Sequence, residues 1–206
     1  MANYLLAAVA GVLTHVGLIV AIGPQNTFVL QQGIRRVHVN PVIAVCALSD
    51  VVLIVAGVAG LGAIVSAHPA VVTAARLVGG AYVIALGLLA ARRCLRSTAA
   101  IVTHPAQASG ASRWVAIGAA LGLTWLNPHV YLDTLLTLGA IANSHGQAKW
   151  AFAFGACLVS IVWFSALGRG GNKLAPLFAR PFAWRILDAI VAVIMLGMGA
   201  ALVCSA

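Results

Sequence analysis

Glutamate is absent from this 206-residue chain, and aspartate occurs three times, at Asp50, Asp133 and Asp188. Charged residues of both signs make up 7% of the sequence, against roughly a quarter in soluble domains. So little charge cannot cover a water-facing surface, which excludes a soluble globular fold. The four cysteines, Cys46, Cys94, Cys157 and Cys204, show neither C-x-x-C nor mixed His/Cys ligand spacing. No disulfide framework and no zinc site is indicated. The nucleotide-cradling pattern G-x-x-x-x-G-K-[ST] is missing, so ATP is not an expected fuel. A net charge of +9 suggests nucleic acid at first sight, but no basic stripe interleaved with aromatics accompanies it. No Lys or Arg precedes Arg35, so the N-terminus lacks the basic region of a cleaved signal peptide and is expected to stay as the first span.

What the chain has in abundance is apolar sequence, 63% of all residues. A helix needs about 20 mostly apolar residues to cross a bilayer. Stretches of that length fall near 4–32, 39–65, 70–91, 114–142, 148–168 and 183–204. The sequence therefore predicts an all-α membrane protein of six transmembrane helices in one domain, its first and fourth helices broken by proline. The basic residues divide unevenly. Arg35, Arg36, Arg92, Arg93, Arg96, Arg113, Arg169, Lys173, Arg180 and Arg185 fall on one expected face, and Arg76 and Lys149 on the other. Basic loops stay cytoplasmic, so both termini are expected on the outer side.

The halves echo each other. An offset of 104 brings Pro24 onto Pro128, and an offset of 111 pairs Cys46, Ser49, Gly57 and Gly60 with Cys157, Ser160, Gly168 and Gly171. Three spans per half force the two repeats to insert with opposite topology, as in many transporters. Repeat one is expected at about 1–95, a linker at about 96–112, and repeat two at about 113–206. Gly-rich runs such as "GVAGLG" and "LGMGAA" permit close helix contacts within one chain or between the two chains of a homodimer.

The polar groups inside the spans carry the functional reading. "VAIGPQNTFVLQQG" and "TWLNPHVYLDT" each interrupt an apolar run with a proline and amides. Proline removes one N–H and releases the carbonyl four residues earlier, here those of Val20 and Thr124. Irregular backbone at membrane depth survives only when buried in protein or lining a wet cavity. Half-helices starting at the breaks would aim positive dipole ends inward, toward a carboxylate. Gly23, Pro24, Gln25, Asn26, Asn127, Pro128 and Tyr131 are the candidate substrate-binding residues, with released carbonyls and amides holding an ammonium group. A molecule bearing both groups is an amino acid.

A carboxylate at mid-bilayer costs about 2.5–3.5 kcal/mol on insertion scales and normally faces a partner or a pathway. Asp50 and Asp133 are thus candidate charge-coupling residues. The structural alternatives are a pair such as Asp50 with Arg76, or a carboxyl kept protonated by burial. Asp188, three residues after Arg185, reads as a boundary ion pair. His129 and Asp133, four apart, lack a third nearby metal ligand, and no metal or other cofactor is expected.

The segments "IGPQNTFVLQQGIRR", "ALSDVVLIVAGVAG" and "TWLNPHVYLDT" resemble the signature segments of the LysE family of amino-acid exporters, particularly its bacterial arginine and lysine exporters. The resemblance implies a transporter and not an enzyme, in a bacterial inner membrane, exporting L-arginine or L-lysine. It carries Gly23, Pro24, Gln25, Asn26, Asp50, Asn127, Pro128 and Asp133 over as functional positions. Exporters of neutral amino acids or of metal ions are the alternatives within related proteins. Two buried acids favour a cationic substrate, since a cation in a low-dielectric cavity needs a counter-charge. Moving one positive charge outward against an inside-negative potential costs about 2.3 kcal/mol per 100 mV. Exchange for an incoming proton cancels that cost, so proton antiport is the expected coupling, with Asp50 alternating between substrate and proton.

Overall fold

In lipid every backbone N–H and C=O needs a partner within the protein, which leaves helices or a closed barrel. The computed structural model describes residues 1–20, 23–61, 67–95, 112–174, 176 and 181–205, and no strand occurs among them. Helix α1 (Ala2–Ile19) is followed after a break by α2 (Pro24–Arg35), and α3 (Val39–Ala56) continues into a π-helical stretch, Gly57–Leu61. The long α4 (Pro69–Leu95) precedes α5 (Arg113–Trp125). After a second break, α6 (Pro128–Val130) runs through a π-helical segment, Tyr131–Leu138, into α7 (Gly139–Ser144). One 3₁₀ turn, Gly146–Ala148, leads to α8 (Lys149–Leu174), and α9 (Pro181–Cys204) completes the described elements.

Local chemistry accounts for the helix ends. Pro24 sits in the first turn of α2 behind an extended Gly23 (φ −95°, ψ −178°). There a missing N–H is harmless and the ring presets φ. Arg36 closes α2 in the left-handed region (φ 57°, ψ 27°), its N–H returning to the carbonyls of Gln32 and Gly33. Ser112 caps α5 by accepting from the Trp114 N–H at 3.3 Å. In the π-helical segment the Thr137 hydroxyl donates to the carbonyl of Leu132, five residues back, at 3.0 Å. Such wide turns interrupt helices most often at functional sites.

Two packing units follow. α4 lies along α9 with Val83, Ala90, Val191 and Met195 buried between them. α1 lies along α8 around Ala7, Phe152, Ala153 and Ala156. α8 also touches α2 and α3, joining the first break to the helix that carries Asp50. Glycines set the closest approaches. A Cβ on Gly33 of α2 would meet the Gly168 carbonyl oxygen of α8 at 2.1 Å, and one on Gly139 of α7 would meet the Gly57 carbonyl oxygen beyond α3 at 2.8 Å. Leu5, Leu13, Val78, Phe154, Phe182 and Val193 are between 66% and 72% exposed. An apolar perimeter of that extent suits lipid and not water.

The structure refines the expected spans. Segment 4–32 is not one long crossing but two helices, because Pro24 begins a new helix instead of kinking an old one. Among the described residues, four helical stretches are long and apolar enough to cross a membrane: Ala2–Ile19, Val39–Leu61, Gly146–Lys173 and Phe182–Cys204. α4, in the expected third position, has 27 residues and includes Arg76, Arg92 and Arg93. The expected fourth span is divided among α5, α6 and α7. The linker expected at 96–112 lies, apart from Ser112, outside the described residues.

Gly33→Ala is expected to separate α2 from α8 and lower stability by about 1–3 kcal/mol, the usual cost of overpacking. Gly170→Ala, whose added methyl meets nothing within 4 Å, should be neutral or better. Thermal unfolding of the two purified variants in detergent measures the difference.

Candidate functional site

Two helix breaks and two carboxylates converge on one cavity. Its volume is about 80 Å³, below the roughly 300–1,000 Å³ of sites that bury a drug-sized molecule. Gly23, Pro24, Gln25 and Asn26 line it from the first break and Asn127 from the second, while Asp50 and Asp133 both reach it. Val83, Phe164, Met195 and Met198 supply apolar wall. Most of the residues singled out from sequence are therefore neighbours in space. Pro128 opens α6 beside them.

Asp50 is 6% exposed and is held by two side chains from other helices. His15 Nε2 of α1 lies 3.1 Å from Asp50 Oδ2 and 2.8 Å from Ser160 Oγ. Because an ionised carboxylate can only accept, Nε2 is assigned the ring hydrogen and donates to both. Ser160 of α8 in turn donates its hydroxyl hydrogen to the same carboxylate oxygen. His15 and Ser160 are themselves 3% and 0% exposed. Charge-assisted hydrogen bonds of this kind offset the desolvation that an isolated buried carboxylate could not bear. The conceivable partner Arg76 is engaged elsewhere, donating to the Ser205 carbonyl at 2.5 Å.

Asp133 has a matching arrangement one turn from the second break. His129 Nε2 lies 3.1 Å from Asp133 Oδ2, the side chains 26% and 29% exposed. Both histidines line the cavity, and neither Nδ1 has a hydrogen-bond partner among the described residues. A buried polar atom without a protein partner is normally met by water or an ion or marks a functional role.

The breaks satisfy themselves more fully than expected. The Asn26 amide donates to the Ile19 carbonyl at 2.8 Å and accepts from the indole of Trp163 at 3.3 Å. Thr27 returns both its N–H and its hydroxyl to the Gly23 carbonyl. At the second break Asn127 Oδ1 accepts from the His129 N–H at 3.2 Å. The Thr124 carbonyl, expected to be released toward a ligand, accepts from the Asn127 N–H at 3.4 Å. Tyr131 is not among the cavity-lining residues. Its hydroxyl spans the break and donates to the Trp125 carbonyl at 2.7 Å, because the helix that restarts at Pro128 turns the ring back over α5. The Asn26 and Asn127 amides and this phenol thus hold backbone. The Gln25 amide nitrogen, buried on the cavity wall, has no hydrogen-bond partner among the described residues and stays open beside the helix starts and the two His–Asp pairs.

Sequence reasoning missed His15 and Ser160 as site residues. The usable signal was a lone imidazole inside an otherwise apolar helix, together with a serine whose repeat mate, Ser49, adjoins Asp50. Ser49 is also used, accepting from the Trp125 indole at 3.0 Å. Among the described residues no three His, Cys, Asp or Glu side chains gather in a way that could hold a metal ion.

A family model described as "LysE type translocator" matches residues 16–206. The chain belongs to the LysE family. As a LysE type translocator it is a membrane transporter and not an enzyme. A putative amino-acid transporter of Mycobacterium tuberculosis is 47% identical, the match covering 87% of this chain and 88% of that protein. The arginine exporter ArgO of Pectobacterium carotovorum is 39% identical, over 91% and 92% of the two chains. The lysine exporter LysE of Corynebacterium diphtheriae is 36% identical, over 95% and 98%. No solved structure matches.

Asn26→Ala should destabilise this LysE family member by about 1–3 kcal/mol, since it strips the Ile19 carbonyl of its partner inside the protein. Tyr131→Phe, at a more exposed bond, should cost only about 0.5–1.5 kcal/mol. Chemical denaturation of both in the same detergent compares them.

Proposed function

We propose that this LysE family protein exports basic L-amino acids, arginine and/or lysine, across the bacterial inner membrane in exchange for protons. The observation that carries this reading is the placement of two helix starts and two buried or half-buried carboxylates around one cavity. An arginine or lysine zwitterion presents one anionic and two cationic groups. Helix N-termini at Pro24 and Pro128 suit the substrate carboxylate, with Gly23, Gln25, Asn26 and Asn127 shaping that end. Asp50 and Asp133 suit the α-ammonium and the side-chain cation. A neutral amino acid would leave one of those charges unanswered in a low-dielectric site. Two relatives named as a lysine exporter and an arginine exporter support the same substrate class.

Antiport follows from charge. Carrying one cation out against an inside-negative potential is uphill, and an incoming proton cancels that term. The fold we infer has six crossings in two three-helix halves of opposite topology, the termini outside. The glycine contacts support it. α2 meets α8 through Gly33 and Gly168, while α7 meets the end of α3 through Gly139 and Gly57. Each pairs the post-break helix of one half with the Asp50- or Ser160-bearing helix of the other. Gly57 and Gly168 are repeat mates.

Purified protein in liposomes should take up labelled arginine and lysine under an imposed proton gradient, with competition by arginine, lysine and ornithine but not by leucine or zinc. Asp50→Asn and Asp133→Asn should each reduce this transport about 10- to 100-fold, the worth of one charge-assisted hydrogen bond. Full transport by both variants would sink the carboxylate mechanism, and effective competition by leucine or zinc would replace the substrate. For topology, Cys204, exposed on the last turn of α9, should react with an impermeant maleimide added outside intact cells, and Cys94 only after permeabilisation.

A further inference from the structure

Taking the proton-exchange reading above as premise, we propose that His15 is the proton-carrying group, its proton and the substrate cation competing for the Asp50 carboxylate. The atoms define the competition. Nε2–H of His15 is committed to Asp50 Oδ2 and Ser160 Oγ, and the single Ser160 hydroxyl hydrogen goes to the same carboxylate oxygen. Nδ1 is the open position, buried and without a hydrogen-bond partner among the described residues, on a ring that lines the cavity. A proton arriving there binds the Nδ1 lone pair, and no other bond breaks. The ring becomes an imidazolium directly against Asp50.

With that proton aboard, the carboxylate is neutralised and a second cation beside it is repelled. Without it, Asp50 presents its full charge to the substrate. The low dielectric around a 6% exposed carboxylate makes the two states mutually exclusive, where in water they would barely interact. Ser160 is a positioning residue, keeping the carboxylate oxygen aimed at Nε2 in both states.

The surroundings leave few rivals for the proton. From α3, Asp50 and the nearby Cys46 face this region, and from α8, Ser160 and Cys157, both thiols lying close enough to Asp50 to feel its charge. The Tyr131–Leu138 segment brings Asp133, with His129 just before it, to the same cavity. The 3₁₀ turn against α1, Gly146–Ala148, carries no titratable side chain. Among the described residues no Lys or Arg lines the cavity. A neutral thiol does not take up a second proton to become a cation, so neither cysteine can carry the proton as an imidazole does. His129 and Asp133 form the same kind of pair but are 26% and 29% exposed. Solvent screens their interaction, which weakens exclusion between proton and cation.

The test is arginine affinity of the purified full-length protein in detergent, measured by calorimetry at a series of pH values from mildly acidic to mildly alkaline. In the wild type the affinity is expected to fall about tenfold per pH unit below the midpoint, the slope of one-proton competition. Binding near the midpoint should release protons into a weakly buffered solution. In His15→Gln the slope and the proton release should both disappear, while His129→Gln should keep the slope. A wild-type slope retained in His15→Gln, or one lost in His129→Gln, overturns the assignment and leaves the basic-substrate reading standing. A wild type that binds neither arginine nor lysine at any pH overturns both. If His15→Gln does not fold, ring-labelled histidine NMR of the wild type decides. His15 should pass from imidazolium to neutral ring as arginine saturates the site, and an unchanged ring state refutes the proposal.

Discussion

A carboxylate in the interior of an apolar helix bundle is tolerable only with donors built around it, and that requirement organises this protein. Asp50 is met by an imidazole from α1 and a hydroxyl from α8. Neither α1 nor α8 is adjacent to α3 in the chain, so the three helices are joined at one oxygen atom. Their packing must deliver hydrogen-bond distances there, and close approach by small residues makes that possible. Gly11 and Gly155 let α1 and α8 touch backbone to backbone, with His15 one turn beyond Gly11 on the same helix. Without strong hydrophobic driving force between helices in lipid, such contacts carry much of the association.

The helix breaks are tied to the same core. Trp163, three residues after Ser160 on α8, donates to Asn26 in the first break. Trp125, at the edge of the second, donates to Ser49 beside Asp50. Each interruption is thus anchored to a helix that also holds the carboxylate or its partner. This connection gives a physical route by which a change of charge at Asp50 is felt at both helix starts.

The two His–Asp pairs differ in burial, and Ser160 reaches only the His15–Asp50 pair. Their chemistry is the same and their distances are equal at 3.1 Å. Both pairs border the cavity, but the His15–Asp50 side chains are 4% and 8% exposed and the His129–Asp133 side chains 26% and 29%. Electrostatic coupling is strong where water is excluded and weak where it is not, so a charge placed at the covered pair acts strongly on its neighbours and one at the more exposed pair weakly.

The membrane class, the helical nature of the chain and the positions of both breaks were legible in the sequence, and Asp50 and Asp133, the two acids singled out there, lie on one cavity. Composition, proline and span length act locally, and lipid leaves a backbone little choice. The family was legible from three short segments for the same reason, since the breaks and the acid lie within them. His15 and Ser160 were not legible as partners, because 35 and 110 residues separate them from Asp50 and no periodicity relates the three. Nor was the role of Tyr131, whose reach back to the Trp125 carbonyl depends on how the restarted helix is rotated. Sequence alone determined which groups cannot face lipid. Only the tertiary structure decided which of them satisfy backbone and which are left to meet a ligand, because that depends on the angles and separations at which distant helices pack.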